Sequence, residues 1–579
     1  MSAKRIWFSS WTAHQGFALG LNQSAVHTRV RVSRKTNGLI GLLDRELGAV
    51  FKRTSARGEM VGPEALVEEV LFWIKALQRE CRVPTSDHAF VLATAEVGAF
   101  SEFTLGIPTT NANATVKCAE WIENYFDLDE PARPPASSLL PQFYEDMKRF
   151  GEKGLNRFYF AEAALRQKIP VYKIGPVYAL GLGKNSRLLF SSLTDRTSAL
   201  GAKVANSKLL CSRTLQAAGF PVPQNAFVKT PDDAVAAAAR IGFPVVVKPS
   251  DTDRGIGVSA NLPDATRVKR AFVAAQSISN QILVESHIFG ATHRLTVFED
   301  KVVRISKRVA GGVTGDGVRS IRELVAASQA LVQKSGRIKI SSIGAISLDE
   351  EALDLMAQNG YSPDSVPELG SRVVMRRRDN VNAGGTNETI ALATAHPDNL
   401  ELAVSVARFL RMDFAGIDLI SLDITQSWRD NGASICEVNS MPQFGVLDVS
   451  EFYEDCVRSL VPNGGKIEVS LYISCDEAAT VERLLQEDKS SSISAKSGIW
   501  INGKQSAKPF SNAYAAAAAA FLRPEIGEIK CVMSPQDVLR YGLACPNIDH
   551  LHVCDDQEAM QDERNKAVAA VQLHMRRSA

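Results

Sequence analysis

The stretch Phe243-Pro-Val-Val-Val-Lys-Pro-Ser-Asp-Thr-Asp-Arg-Gly-Ile-Gly-Val258 constrains this chain more than any other. A β-branched run delivers Lys248, and a polar loop with Gly255 and Gly257 follows at once. Such a strand end presents a point charge, and the loop can lay backbone N–H groups over polyphosphate oxygens. Further along come Phe414-Ala-Gly-Ile-Asp-Leu-Ile420 and Ile435-Cys-Glu-Val-Asn439. Each reads as a strand with oxygen ligands on one face, which is what a hard cation requires. Glu437 and Asn439 are two apart, so both point to the same side. A phosphate cradle and a Mg²⁺ cage in one segment predict a nucleotide-using enzyme.

Composition narrows the class. A chain of 579 residues predicts about three or four domains. With 45% hydrophobic and 22% charged residues it reads as an ordinary globular protein. A formal charge of +2 argues against nucleic acid or acidic membrane as the main partner. The nine cysteines form no CxxC pair, which predicts a reducing cytoplasmic setting. Met1 to Gln15 lacks an apolar signal core, and no apolar run approaches the ~20 residues of a membrane span.

Residues 1–160 mix helix and strand patterns without a chemical motif. Ala65 to Gln78 predicts an amphipathic helix with Leu66, Val70, Leu71, Ile74 and Leu77 on its apolar face. Asp127 to Ser138 reads as a linker or long loop. From 160 to 460 helices and strands alternate: a helix over Ser207–Ala218, another over Asp232–Arg240, then strands over Gln281–Glu285 and Leu295–Phe298. Ala310 to Gly317 is rich enough in glycine to be read as a mobile lid over bound substrates. Arg376 to Arg378 is a candidate site for an acidic substrate, with a solvated charged face as the alternative. Residues 463–579 predict a smaller α/β unit with a hairpin over Gly498–Gly503. Cys545, His550, His552 and Cys554 lie close together, but their spacing fits no zinc pattern.

Residues 160–450 resemble the ATP-grasp domain of cyanophycin synthetases. The resemblance is carried by Thr194–Ser198, Pro221–Pro223, Val245–Pro249, Gly255–Val258, Ile282–Glu285 and Gly315–Val318. It continues through Gly384–Thr386, His396–Asn399, Ala415–Asp418 and Glu437–Asn439. It implies an α/β chain whose ATP-grasp lobes hold ATP between them and form an acyl phosphate that an amine attacks. By resemblance, Lys208 and Lys248 contact ATP phosphates, and Asp251 to Gly257, with Arg254 and Gly255, form the lid. Glu285, Ser286 and Ile288 line the adenine pocket. Arg294 faces the γ-phosphate, and Asp418, Glu437 and Asn439 hold Mg²⁺. Asn380, Asn382, Gly384, Gly385 and Thr386 line the acceptor side. Two lysines, an arginine and Mg²⁺ are the parts that phosphoryl transfer needs.

Two departures stand out. Thr292 occupies a position where the family has a ribose-binding carboxylate, and Ser440 to Phe444 replaces an arginine-containing stretch. The family also carries a second, Mur-ligase-type module entered through a Gly-x-x-Gly-Lys-Thr loop. Here that position reads Ile473-Ser-Cys-Asp-Glu-Ala-Ala-Thr480, without the glycines or lysine. Asp476 and Glu477 would repel phosphate.

The sequence thus predicts three parts: an N-terminal domain over 1–160, an ATP-grasp ligase over 161–460, and a vestigial, nucleotide-free Mur-like domain over 461–579. The expected activity joins amino acids or short peptides through an amide, using ATP and Mg²⁺. Polymerisation with one residue type, or a scaffold role beside an active ligase, are the alternatives. A cytoplasmic homo-oligomer, dimer or tetramer, without nucleic-acid or membrane partners is expected.

Overall fold

The computed structural model describes residues 5–575 except 35–38, 56–59, 131–132, 253–255, 335–345, 377–383, 445–448 and 555–559. The chain is mixed α/β and divides into two compact units, Met1–Ser191 with Phe444–Ala579, and Ser192–Gln443.

The first unit opens with an antiparallel sheet in the spatial order Ile6–Phe17, Ser24–Ser33, Phe100–Pro108, Phe90–Val97. Alternate residues Val26, Thr28, Val30 and Val32 are buried, as a half-covered sheet requires. The helix Gly62–Glu80 contains the Ala65–Gln78 segment and buries all five residues of the expected apolar face. Ala136 to Ser138 belong to the helix Ala136–Met147, so the expected linker ends earlier, at its N-cap Pro135. Proline is tolerated there because its missing N–H falls where the helix has no partner to offer.

Residues from the chain's end complete this unit with a six-stranded sheet. Its strands Glu468–Ser474, Glu528–Met533 and His550–Cys554 run parallel. The hairpin Gly498–Ile501 with Lys504–Ala507 lies at one edge. Phe17 and Leu182 enter the same core as Val469, Leu471, Ile473 and Ile529. The Phe17 amide also donates to the Leu543 carbonyl at 2.7 Å. The beginning and end of the chain are joined by a shared apolar core.

The second unit has two larger sheets among the described residues. One, in the order Ser259–Leu262, Val245–Pro249, Ile282–Ser286, Asn225–Val228, packs under the helices Pro231–Ile241 and Ala265–Gln276. The other is antiparallel, in the order Thr386–Ile390, Lys301–Val309, Ala291–Phe298, Phe414–Ser421, Ser434–Asn439. Its apolar face, with Leu295, Val297, Ile305, Ile417, Leu419 and Val438, packs against the helix Pro397–Phe409 and its neighbours.

The glycine-rich segment departs from expectation. Gly312–Thr314 is a strand paired with Arg372–Val374. A Cβ on Gly312 would lie 2.0 Å from the Val373 carbonyl oxygen, and one on Gly315 would lie 2.2 Å from that of Glu368. These glycines serve close backbone packing. The hairpin belongs to a small lobe with its own core of Val313, Ile321, Leu324, Met356 and Met375.

Candidate active site

Strand alternation builds the site. In the five-stranded sheet Arg294 pairs with Asp418, Asp418 with Glu437, and Gly416 with Asn439. Residues directly opposite one another share a face. Arg294, Asp418, Glu437 and Asn439 therefore stand together on the side away from the apolar core. The register shifts between Asp418 and Leu419, whose partners are Glu437 and Ile435. Cys436 is the extra residue of that bulge, which re-aims the strand where the two polar ligand candidates begin.

In the smaller sheet Val245, Val247, Ile282 and Val284 face the helices. Lys248 and Glu285 take the opposite face and pair at 2.6 Å. Burial disfavours the Lys248 ammonium, but Glu285 more than offsets this and holds its pKa above the usual lysine value. Lys208 begins the helix Lys208–Ala217, which Ser207 caps, and donates to the Thr252 carbonyl of the loop after Lys248. Within that loop the Thr252 hydroxyl donates to the Ile256 carbonyl at 2.9 Å. Gly257 has φ of 76°, and a Cβ there would lie 2.8 Å from Pro249 Cγ, so glycine is needed on two counts.

A narrow cleft brings these parts together, lined by Lys208, Ser212, Lys248, Glu285, Cys436 and Glu437 among others. Cys211 also lines it, its thiol pushed up to about 11 by burial and by Glu437. Neither thiol is poised as a nucleophile, because burial also raises Cys436.

Glu437 has no hydrogen bond or ion pair among the described residues, and it is only partly buried. The Asn439 amide nitrogen is buried without a partner among the described residues. The two ends of an amide are interchangeable by rotation, so the same position can offer an oxygen. An uncommitted carboxylate beside an unsatisfied amide fits a hard cation such as Mg²⁺. Asp418, expected as the third ligand, is contacted by two guanidinium groups. Arg294 grips it through Nε and through Nη2, the latter at 2.8 Å, and Arg308 Nη2 reaches it at 2.8 Å. Sequence reasoning missed Arg308. Its signal was the alternation in Lys301–Val309, which places it on the face of Ser306, the partner of Arg294.

The remaining residues singled out from sequence divide clearly. Asp251 is exposed on the loop after Lys248. Ser286 is held to Gln224, its hydroxyl accepting from that amide at 3.1 Å. Ile288 lies half-buried in the connection between the two sheets. Thr292 shares the polar face, opposite Ile420. Gly384 and Gly385 are buried and lead into Thr386, which pairs with Val309, next to Arg308. Arg254, Gly255, Asn380, Asn382, Arg377 and Arg378 lie outside the described residues. Arg376 is buried and paired with Asp349 at 2.7 Å inside the small lobe, so it is a structural residue and not a receptor for substrate.

The Ser474–Thr480 turn presents a different picture. Asp476 caps the helix Glu477–Glu487, accepting from the Ala479 amide at 3.0 Å. Glu477 accepts from the amides of Lys496 and Ser497 at 3.0 and 2.9 Å. Carboxylates occupy the helix start that a phosphate-binding loop leaves to its ligand. Nearby, His552 stacks on Tyr472, Cys545 donates to the Asn547 carbonyl, and Cys554 accepts from Arg483.

Residues 205–292 match the family model of an ATP-grasp domain. The cyanophycin synthetase of Trichormus variabilis is 31% identical over 307 residues, covering 52% of this chain and 34% of that protein. The glutathione biosynthesis bifunctional protein GshAB of Streptococcus thermophilus is 32% identical over 241 residues, covering 41% of this chain and 32% of that protein. A solved bifunctional glutathione synthetase from Pasteurella multocida aligns at 16% identity and a TM-score of 0.42, covering 76% of this chain and 82% of its own. The chain carries an ATP-grasp domain. Among proteins with that domain it is related to the cyanophycin synthetases, at about 30% identity over half its length. It spans about a third of the length of these curated relatives. No helix among the described residues is long and apolar enough to cross a membrane.

Proposed function

We propose that residues 192–443 form an ATP-dependent carboxylate–amine ligase that makes one amide bond between amino acids or short peptides. The observation that carries this reading is the cleft in which Lys208 and Lys248 share a wall with the uncommitted Glu437. That arrangement supplies cations for a polyphosphate and an anion for its counter-cation. A carboxylate oxygen of the acid attacks the γ-phosphorus, and ADP leaves with the electrons of the broken P–O bond. The amine nitrogen then attacks the acyl carbon, phosphate departs, and the nitrogen gives up a proton.

Lys248, kept charged by Glu285, and Lys208 neutralise phosphate oxygens. Arg294 and Arg308 stabilise the charge that develops between acid and phosphate. Asp418, Glu437 and Asn439 would hold Mg²⁺, which would supply further charge neutralisation on the phosphates. The other unit contributes no nucleotide site, because its strand-to-helix turn already carries its own carboxylates. We infer a cytoplasmic, homo-oligomeric enzyme, in keeping with cysteines that form no disulfide among the described residues. The test is an ADP-release screen of the purified chain against pairs of amino acids, with mass spectrometry of the products. ADP release that needs both an acid and an amine, with a product lighter than their sum by one water, is expected. No release with any pair would overturn the reading.

A further inference from the structure

We infer that the outer face of the helix Lys208–Ala217 binds a small aromatic carboxylic acid, which acts through that helix on the cleft beside Lys248. The inference rests on the proposed nucleotide role of that cleft for its consequence, but not for the site itself.

The helix is a wall shared by two concavities. Lys208, Cys211, Ser212 and Leu215 line the cleft that holds Lys248 and Glu437. Their spacing of three, four and seven residues marks one face of a helix. Arg213, Thr214 and Ala217, with Ala218 just past the helix end, line a second hollow of about 450 Å³, which Phe409 also borders. Arg213 and Thr214 follow Cys211 and Ser212 by two residues, about 200° around the helix axis, so the hollow lies on the opposite face.

Its lining states what it fits. Phe409 ends the helix Pro397–Phe409 and is 44% exposed, with its ring centre 5.6 Å from that of Phe220. A third ring stacked there would gain aromatic contact as well as burial. Ala217 and Ala218 are exposed and too small to fill the space. Arg213 is exposed and has no hydrogen bond or ion pair among the described residues. Its guanidinium fork matches a carboxylate through two parallel bonds. The helix also orients the ligand. Its last carbonyls repel an anion near Ala217 and Ala218, so the carboxylate belongs at Arg213, one turn earlier, and the ring beside Phe409.

The same helix carries Lys208, whose ammonium donates to the Thr252 carbonyl of the loop after Lys248. An acid held on the outer face restrains the helix that presents Lys208 to the cleft. By linkage, whatever factor the acid imposes on nucleotide affinity, nucleotide imposes on the acid.

The experiment is titration calorimetry of the full chain with indoleacetate, with the neutral indoleacetamide as control, and with folding followed by thermal melting. Indoleacetate should bind the parent, and both indoleacetamide on the parent and indoleacetate on Arg213→Gln should bind about tenfold more weakly or worse. Ala217→Trp fills the hollow and should abolish binding while the chain still melts near the parental temperature. Saturating indoleacetate should shift the parent's affinity for a non-hydrolysable ATP analogue by about threefold or more, and leave that of Ala217→Trp unchanged. No binding to the parent, or no shift in analogue affinity, would overturn the inference. Binding indifferent to both substitutions would place the probe elsewhere, in the acid-binding part of the cleft, and would overturn it too. So would a parent that ignores indoleacetate but loses oligomeric mass on Ala217→Trp in sedimentation, since the hollow would then be a contact between copies of the chain. Should the parent release no ADP with any acid–amine pair, the ligase reading falls while the indoleacetate titrations still decide the site.

Discussion

The turn that follows Lys248 and the turn that follows Ser474 begin alike, each with a buried strand running into a short polar loop. They differ in where their charges go. Around Lys248 the loop is built on a glycine held by a positive φ and a close approach, and the nearby Glu437 has no hydrogen bond or ion pair among the described residues. Around Ser474 every charge serves the fold: Asp476 caps its own helix, and Glu477 holds the 496–497 backbone. Ser474 and Thr480 share a hydrogen bond of 2.8 Å beneath them. A binding site keeps polar groups unsatisfied until its ligand arrives. A structural turn satisfies them at once.

The largest test of this contrast is Glu437→Gln. Removing one anionic cation ligand should lower acid-dependent ADP release by at least about 100-fold, or roughly 2.7 kcal/mol of barrier, while the melting temperature stays near that of the parent. Near-parental turnover would remove Glu437 from the site.

Next comes stoichiometry. Titration calorimetry with the ATP analogue should give one site per chain, and Lys248→Ala should abolish it by removing a phosphate contact and stranding Glu285. A second site that survives this change would show that the Ser474 turn still binds nucleotide.

Asp476→Ala sharpens the other side. Loss of the helix cap should cost about 1 kcal/mol of stability, read in urea melts, with nucleotide affinity unchanged. Altered affinity would mean that the turn and the nucleotide site are not separate.

The smallest effect concerns pH. His574 is buried, with Nδ1 at 3.0 Å from the Pro546 carbonyl and Nε2 accepting from the Gly20 amide. Burial lowers its pKa, so near pH 6 the unfolded chain binds a proton that the folded chain refuses. The stability it supports is present above the ordinary histidine value and is lost as pH falls through the folded one. Melting of the parent between pH 7 and pH 5 should therefore fall more steeply than that of His574→Gln. Parallel slopes would assign the acid sensitivity to other groups.

Much of the candidate site was legible in the chain because its markers are local. A β-branched run ending on lysine, a glycine loop, and a carboxylate and an amide two residues apart on a strand each carry their meaning within a few residues. The capped Asp476 turn was legible for the same reason, since a missing lysine and two added carboxylates need no partner to be read. The strand pairing within Ala310–Gly317 was not legible, because glycine permits both motion and close packing. Only the neighbours Val373 and Glu368 show the close packing.

The sequence by itself determined the alternation of apolar and polar residues, and with it which side of each strand faces a core and which side is left for chemistry. Tertiary structure alone decided the pairings across strands. Arg308 joined Asp418 through a register spanning more than a hundred residues, and Glu285 met Lys248 from a neighbouring strand. Phe17 likewise entered a core made by the last third of the chain. Periodicity is a property of a few consecutive residues. Who stands opposite whom depends on loop closure and on burial summed over the whole fold, which no local pattern contains.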